Sequence, residues 1–132
     1  MTDSELVRSL YDTINAHDLD AAIARFDPEV VWHTLLRPDR SPFKGPAEVR
    51  EQVFEYAYQV FDRARMHVDE VTVTLGRVIV RGIFTGTHRE TGVDYRVPFF
   101  HTWTLRDGLV VEFRHSNDPA LVRHSIEGDE VL

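Results

Sequence analysis

The spacing of apolar residues predicts an α+β fold. Over roughly the first 60 residues, apolar side chains recur mainly every three or four positions, which is typical of amphipathic helices. Over the remainder they alternate with polar ones between glycine-marked breaks, which is typical of β-strands joined by tight turns. Helices followed by a run of strands favour an α+β fold over a doubly wound sheet.

Three helices are predicted, each from a start signal followed by an apolar stripe. The first begins at the capping box Thr2-Asp3-Ser4-Glu5 and ends near Asn15-Ala16-His17. Asp18 caps the second, Asp27-Pro28 stops it, and Pro46 opens the third. The expected buried faces are Leu6, Val7, Leu10, Tyr11 and Ile14, then Leu19, Ala22, Ile23 and Phe26, then Val49, Val53, Tyr56, Ala57 and Val60.

Five strands are predicted, at about 30–34, 65–75, 77–88, 93–105 and 109–117. A loop over 35–45 follows the first strand, and a short helix at about 119–126 is expected to close the chain. Gly76, Gly92 and Asp107-Gly108 mark the reversals between the later strands. The apolar parity changes near Asp69-Glu70, which predicts a β-bulge there.

Two histidines fall on the apolar faces of the last two strands. In the strand at 93–105 the odd positions are apolar except for His101, and the last strand places Phe113 and His115 on one face in the same way. A three-residue turn, Arg106-Asp107-Gly108, would bring these faces together and set His101 opposite Phe113. His101 and His115 are then expected to be diagonal neighbours, roughly 7–8 Å apart at their backbones.

A curved sheet capped by the helices would form a cup over this face. Gly82 and Gly86 are expected to leave empty volume above the sheet, or to act as bend points in it. Cups of this kind are common ligand sites.

The composition limits the class of protein. The 132 residues suffice for a single domain, 1–132, with a core and an enclosed pocket. The absence of cysteine excludes disulfides, thiolate catalysis and cysteine-based zinc sites. A formal charge of -7 argues against nucleic acid and anionic membranes as partners. Because the sequence shows neither a signal peptide nor a spanning apolar run, a cytoplasmic location is expected.

Several motifs together carry a family resemblance: Asn-Ala-x-Asp-Leu-Asp at 15–20, Phe26, Phe43-Lys44-Gly45 and Asp107-Gly108. With their flanking elements they resemble the nuclear transport factor two-like superfamily, most closely its SnoaL-like polyketide cyclase and ketosteroid isomerase branch, over about residues 4–118. The resemblance implies a cone-shaped, curved, mixed or antiparallel sheet wrapped around three N-terminal helices, and a homodimer. It does not fix the reaction, since the superfamily holds isomerases, cyclases, epoxide hydrolases, dehydratases and non-catalytic adaptors.

Compared position by position, the chain lacks the steroid isomerase residues. The aspartate base of those enzymes falls at Thr34, their tyrosine oxyanion donor at Leu10 beside Tyr11, and their protonated aspartate at His101. The cyclases are more similar because they share a strand histidine at 101, although their catalytic aspartate falls at His115.

The predicted catalytic residues are His101, as general acid, general base or oxyanion donor, with His115 or Asp118 assisting. The predicted substrate-binding residues are Tyr11, Trp32, Thr34, Phe84, Phe99, Trp103 and Phe113. Structural alternatives stay open: His101 as a core histidine with satisfied hydrogen bonds, His115 as a solvated rim residue, and the aromatic residues as ordinary core. His33 points to the other face, where a structural or exposed role is expected.

The sequence thus predicts an enzyme that moves a proton in a small, mostly apolar carbonyl compound by isomerisation, aldol cyclisation or dehydration. No cofactor is expected, and no metal site, because no His-Glu-x-x-His motif or helical histidine pair is present. One alternative is a non-catalytic ligand-binding or dimerisation module of the same fold. Another is an epoxide hydrolase, which would need carboxylates flanking a water, and only Asp118 lies near the apolar faces.

Overall fold

The structure, a computed structural model, describes residues 1–116. The helices are α1 (Asp3–Asn15), α2 (Leu19–Ile23), α3 (Pro46–Val49), a π-helical segment (Arg50–Glu55) and α4 (Tyr56–Val60). The strands are β1 (Phe26–His33), β2 (Phe43–Lys44), β3 (Phe61–Thr74), β4 (Arg77–His88), β5 (Asp94–Arg106) and β6 (Leu109–Ser116). The helix expected at 119–126 and Asp118 lie outside the described residues.

The six strands form one mixed, curved sheet in the order β2-β1-β6-β5-β4-β3. β1 runs parallel to β6, and the other neighbouring pairs are antiparallel. Helices pack over the concave face, so the predicted α+β class and the cone-shaped sheet around N-terminal helices are confirmed. Within residues 1–116, none of the helices has the length and apolar character needed to cross a bilayer.

The predicted start of α1 is confirmed in detail. The Thr2 hydroxyl accepts a hydrogen bond from the Glu5 N–H at 3.2 Å, and the Thr2 N–H donates to the Glu5 carboxylate at 2.9 Å. All five apolar residues of the predicted stripe are buried. Asn15 then ties the end of the helix to β3, because its side-chain amide donates to the carbonyl of Met66 and accepts from the Met66 N–H, both at 2.8 Å.

The second helix ends earlier than predicted. Asp18 caps it as expected, but the helix stops at Ile23, and Phe26 and Asp27-Pro28 belong to β1. Pro28 has no N–H to donate, yet it fits in the strand because the pairing of β1 with β6 is interrupted between Phe26 and Val31.

The third helical stripe is also shifted. Val49 and Val53 are buried as predicted, but Phe54 is buried too, whereas Tyr56 is only half-buried. The π-helical segment explains the difference, because its wider turns rotate the buried face away from the 3.6-residue period.

The turn between β5 and β6 differs from the prediction. It has two residues, Asp107 and Gly108, both with positive φ, and Arg106 pairs with Leu109. A β-bulge then leaves Val111 outside the ladder. One extra residue reverses the alternation of side chains, so the bulge restores the shared apolar face that a longer turn was expected to provide. The bulge predicted near Asp69-Glu70 is confirmed by a register shift between Val68 and Glu70.

Gly82 does not leave empty volume, contrary to the expectation. A Cβ at this position would lie 2.2 Å from the carbonyl oxygen of His67 and 2.5 Å from Cζ of Phe99. The glycine therefore lets the ring of Phe99 lie directly against the backbone of β4.

We expect Gly82→Ala to lower the free energy of unfolding by about 1–3 kcal/mol, because the added methyl group must displace backbone or a packed ring. Urea denaturation measures the loss. Gly86→Ala is the matched control, since its Cβ would lie 3.2 Å from the far end of the Phe84 side chain, which can move. Equal losses in both variants would contradict the close-approach explanation.

Candidate active site

A cavity of about 330 Å³ lies between the helices and the concave face of the sheet. Most of its lining is aromatic or aliphatic. All the residues predicted from the sequence to bind substrate line it: Tyr11, Trp32, Thr34, Phe84, Phe99, Trp103 and Phe113. His101 and His115 line it as well, so the predicted site residues within the described part of the chain meet in one hollow.

The two histidines are closer than the sequence register predicted. His101 lies directly opposite His115 in the β5–β6 ladder rather than diagonal to it. Their ring centroids are 5.0 Å apart and the rings are nearly perpendicular, at 89°. The shorter turn and the bulge at Val111 are the cause, because each shifts β6 by one residue, which makes two residues relative to the predicted pairing.

Packing fixes the ring of His101. Phe99 stacks on one face with centroids 4.0 Å apart, and Phe113 contacts the imidazole edge-on at 4.7 Å. Only 5% of His101 is exposed. A ring held in this way keeps its nitrogens in constant directions, which a catalytic group requires.

Tyr11 connects His101 to Trp103. The Nε1–H of Trp103 donates to the Tyr11 hydroxyl at 2.9 Å, and that hydroxyl lies 2.6 Å from Nδ1 of His101. Only 1% of Tyr11 is exposed, so its hydroxyl is shielded from solvent. Three side chains that are distant in the sequence thus form one buried chain of hydrogen bonds.

Burial keeps this group of side chains uncharged near neutral pH. Desolvation, followed by repulsion from His115, holds the pKa of His101 well below 6.5. Desolvation raises the pKa of Tyr11 well above 10, although the hydrogen bond from Trp103 acts in the opposite direction. An imidazole that stays neutral can donate through one ring nitrogen and accept through the other.

The low pKa of His101 predicts a loss of stability in acid. Below pH 6.5 the unfolded chain binds a proton at this residue while the folded protein does not. The free energy of unfolding therefore decreases as the pH is lowered. The slope from one such group is at most about 1.4 kcal/mol per pH unit. In urea denaturation at pH 7.5, 6.5 and 5.5, His101→Asn should lose less stability on acidification than the wild type.

His67→Gln is the control for this prediction, because His67 is exposed and bonds to Thr85 on the other face. It should keep the acid dependence of the wild type. His33 adds a loss of the same sign in every variant, since burial lowers its pKa too. His33 is half-buried on the opposite face, 3.5 Å from Glu112, in keeping with the predicted structural role. If His101→Asn lost as much stability on acidification as the wild type, the lowered pKa of His101 would not be a cause of the acid dependence.

The helical segment contributes lining residues that the sequence prediction missed. Phe54 and Tyr58 reach the cavity, and the Tyr58 hydroxyl donates to the Ile14 carbonyl at 2.7 Å. Burial raises the pKa of Tyr58 to about 12. Phe54 and Tyr58 are four positions apart, so helical spacing places them on one face of the helix. This spacing is the signal from which they could have been predicted as lining residues. Asn15 also lines the cavity, but both ends of its amide are engaged by Met66.

No metal centre is evident in the described part of the chain. Among residues 1–116, no group of three or more histidine, aspartate or glutamate side chains is placed to hold an ion.

Comparison with known proteins agrees with this architecture. The sequence profile of the SnoaL-like domain matches residues 7–113. An NTF2-like protein from Burkholderia thailandensis E264 is 25% identical, with a TM-score of 0.81, and the match covers 95% of this chain and 97% of that one. A search of curated proteins found no match.

Two further solved structures show the same fold. A candidate SnoaL-like polyketide cyclase from Jannaschia sp. CCS1 is 24% identical, with a TM-score of 0.73 over 96% of this chain and 92% of that one. TerC, co-crystallised with polyporic acid, is 21% identical, with a TM-score of 0.74 over 95% of this chain and 97% of that one. The profile match over most of its length shows that the chain belongs to the SnoaL-like family, within the NTF2-like superfamily.

Proposed function

We propose that this protein is an enzyme that moves a proton in a small, mostly apolar carbonyl compound, and that His101 and His115 are the reacting pair. The observation that carries the proposal is the meeting of two imidazoles in an otherwise largely apolar cavity of about 330 Å³. Asp118, which the sequence offered as an alternative assistant, lies outside the described residues.

The chemistry follows from this pairing. One ring donates a hydrogen bond to the carbonyl oxygen while the other removes a proton from the neighbouring carbon. The electrons of the broken C–H bond form a C=C bond, and the negative charge develops on the oxygen. In a β,γ-unsaturated compound the enolate is conjugated with the second C=C bond, and returning the proton to the γ-carbon completes an isomerisation. Attack by the nucleophilic carbon on a second carbonyl gives aldol cyclisation, and loss of a β-hydroxyl as water gives dehydration.

The setting suits this chemistry. A positioned acid or base contributes roughly 10²–10⁴-fold in rate. A hydrogen bond to a developing oxyanion is worth more in a water-poor site than in solution, because little solvent competes with it. His101 is nearly completely buried, so the site provides that environment.

The walls favour a flat, ring-containing substrate. Trp32 stacks on Phe113 with centroids 3.9 Å apart, and Trp103 meets both rings edge-on. A volume of about 330 Å³ is at the small end of ligand pockets. The co-crystallisation of TerC with polyporic acid supports a small-molecule ligand in this fold.

The described residues weigh against the epoxide hydrolase alternative. No aspartate or glutamate within residues 1–116 lines the cavity, whereas that chemistry needs carboxylates beside a water. The non-catalytic binding module uses the same cavity and is separated from the enzyme by experiment. The expected homodimer and the cytoplasmic location stay predictions.

The test uses 2-tetralone, a bicyclic ketone with acidic protons beside its carbonyl. Its binding should change the fluorescence of Trp32 and Trp103, which are the only tryptophans and both line the cavity. In D₂O, proton NMR should show exchange of the α-protons faster than in protein-free buffer. A fluorescence change without faster exchange would support the binding module. The absence of both effects would reject both functions for this class of compound.

A further inference from the structure

We propose that Tyr11 is a positioning residue whose hydroxyl, held by Trp103, fixes His101 in the tautomer that carries its proton on Nε2. His101 is then the hydrogen-bond donor of the site, and Tyr11 acts on His101 rather than on the substrate. The proposal deepens the proposed function, because it assigns the direction of proton transfer within the same pair.

The first step concerns the hydrogen-bonding capacity of the groups. An indole N–H can only donate, so the Tyr11 oxygen is the acceptor in the 2.9 Å contact with Trp103. The hydroxyl has one proton of its own left to donate. Within residues 1–116, the other hydrogen-bond partner of that hydroxyl is Nδ1 of His101, at 2.6 Å. The hydroxyl is therefore satisfied when it donates to Nδ1, which must then be unprotonated.

The second step compares the opposite tautomer. If Nδ1 carried the proton it would donate to Tyr11, and the buried hydroxyl would have no acceptor among the described residues. A buried donor without a partner costs about 1–3 kcal/mol. The contact from Trp103 reinforces the preferred arrangement, because a hydroxyl that accepts a hydrogen bond becomes a stronger donor.

Packing holds the imidazole of His101 in place beside the Tyr11 hydroxyl. The ring planes of Tyr11 and His101 are parallel to within 6°, with centroids 5.9 Å apart. Phe99, stacked on His101 at 15°, opposes rotation of the imidazole out of this plane.

The consequence is a division of labour between the histidines. With Nδ1 engaged by Tyr11, Nε2–H is the group that His101 can offer to a ligand in the cavity. It would donate to the substrate oxygen, and the α-proton would pass to a ring nitrogen of His115. This consequence rests on the proposed function, whereas the tautomer itself does not.

NMR of the side-chain nitrogens of ¹⁵N-labelled protein tests the tautomer without any substrate. In the wild type, His101 should show a protonated Nε2 and an unprotonated Nδ1. In Tyr11→Phe the ratio of the two tautomers should move toward that of free histidine, by up to about tenfold for the loss of one hydrogen bond. Trp103→Phe should shift the ratio in the same direction but less.

Trp32→Phe is the matched control, because it removes an indole from the same cavity that is not one of the hydrogen-bond partners of the Tyr11 hydroxyl. It should keep the wild-type tautomer. A protonated Nδ1 in the wild type would overturn the proposal, as would an unchanged ratio in Tyr11→Phe. Because 2-tetralone plays no part here, failure of the tautomer assignment is distinguishable from failure of the proposed function.

Discussion

His101→Asn is expected to remain folded and to lose about 10²–10⁴-fold in the rate of α-proton exchange, the usual contribution of a positioned acid or base. The asparagine oxygen can accept the hydrogen bond from the Tyr11 hydroxyl in place of Nδ1, so the buried hydrogen-bond chain keeps an acceptor. What disappears is the second ring nitrogen, and with it the hydrogen bond to the substrate oxygen. Exchange of 2-tetralone protons in D₂O measures the loss.

Two further measurements make this result interpretable. His67→Gln changes an exposed histidine outside the cavity and should exchange at the wild-type rate. Thermal unfolding of His101→Asn at pH 7.5 checks that the variant is folded under assay conditions. An exchange rate close to that of the wild type in folded His101→Asn would show that His101 is a core histidine and would end the catalytic proposal.

Trp103→Ala should cost about 3–5 kcal/mol in the free energy of unfolding, the range for removing a large buried aromatic side chain. Trp103 is 1% exposed and packs edge-on against Trp32 and Phe113, with centroids 5.5 and 4.8 Å away. Its indole N–H also supports Tyr11. Since a domain is stable by only about 5–15 kcal/mol, urea denaturation should show a variant that is barely folded.

Two controls separate packing from the lost hydrogen bond. Trp103→Phe keeps an aromatic ring and removes the N–H, so a smaller loss of about 1–3 kcal/mol is expected, because some packing is lost as well. Leu75→Ala changes a side chain that is 69% exposed and should have little effect. If Trp103→Ala cost no more than Leu75→Ala, the residue would not be part of the core that shapes the cavity.

The fold was largely predictable because its strongest signals are local. The capping box at Thr2 and Glu5 and the apolar stripe of α1 depend on residues within a few turns of each other. The alternation in β5 likewise fixes which side chains share a face with His101. Both signals depend on neighbouring residues and not on how distant parts of the chain pack.

The strand register could not be predicted for a definite physical reason. A three-residue turn and a two-residue turn followed by a bulge both return His101 and His115 to one face. The alternation of side chains is the same in either case, so the sequence does not distinguish them. The shared face was therefore predicted correctly, while the directly opposed pairing was not.

The hydrogen-bond chain of the site was beyond prediction for another reason. Tyr11 is 90 residues from His101 and 92 from Trp103, so their contacts depend on how α1 docks over the sheet. Periodicity shows which face of a helix is buried but not its position along the partner surface. Phe54 was missed because the π-helical segment departs from the regular helical period.

A crystal structure with 2-tetralone bound tests most directly whether His101 and His115 act together on a carbonyl compound. We expect the ketone oxygen to lie about 2.6–3.2 Å from Nε2 of His101, with the neighbouring carbon facing His115. A ligand bound outside the cavity, or one inside it whose oxygen points away from both imidazoles, would contradict the proposed role of the two histidines.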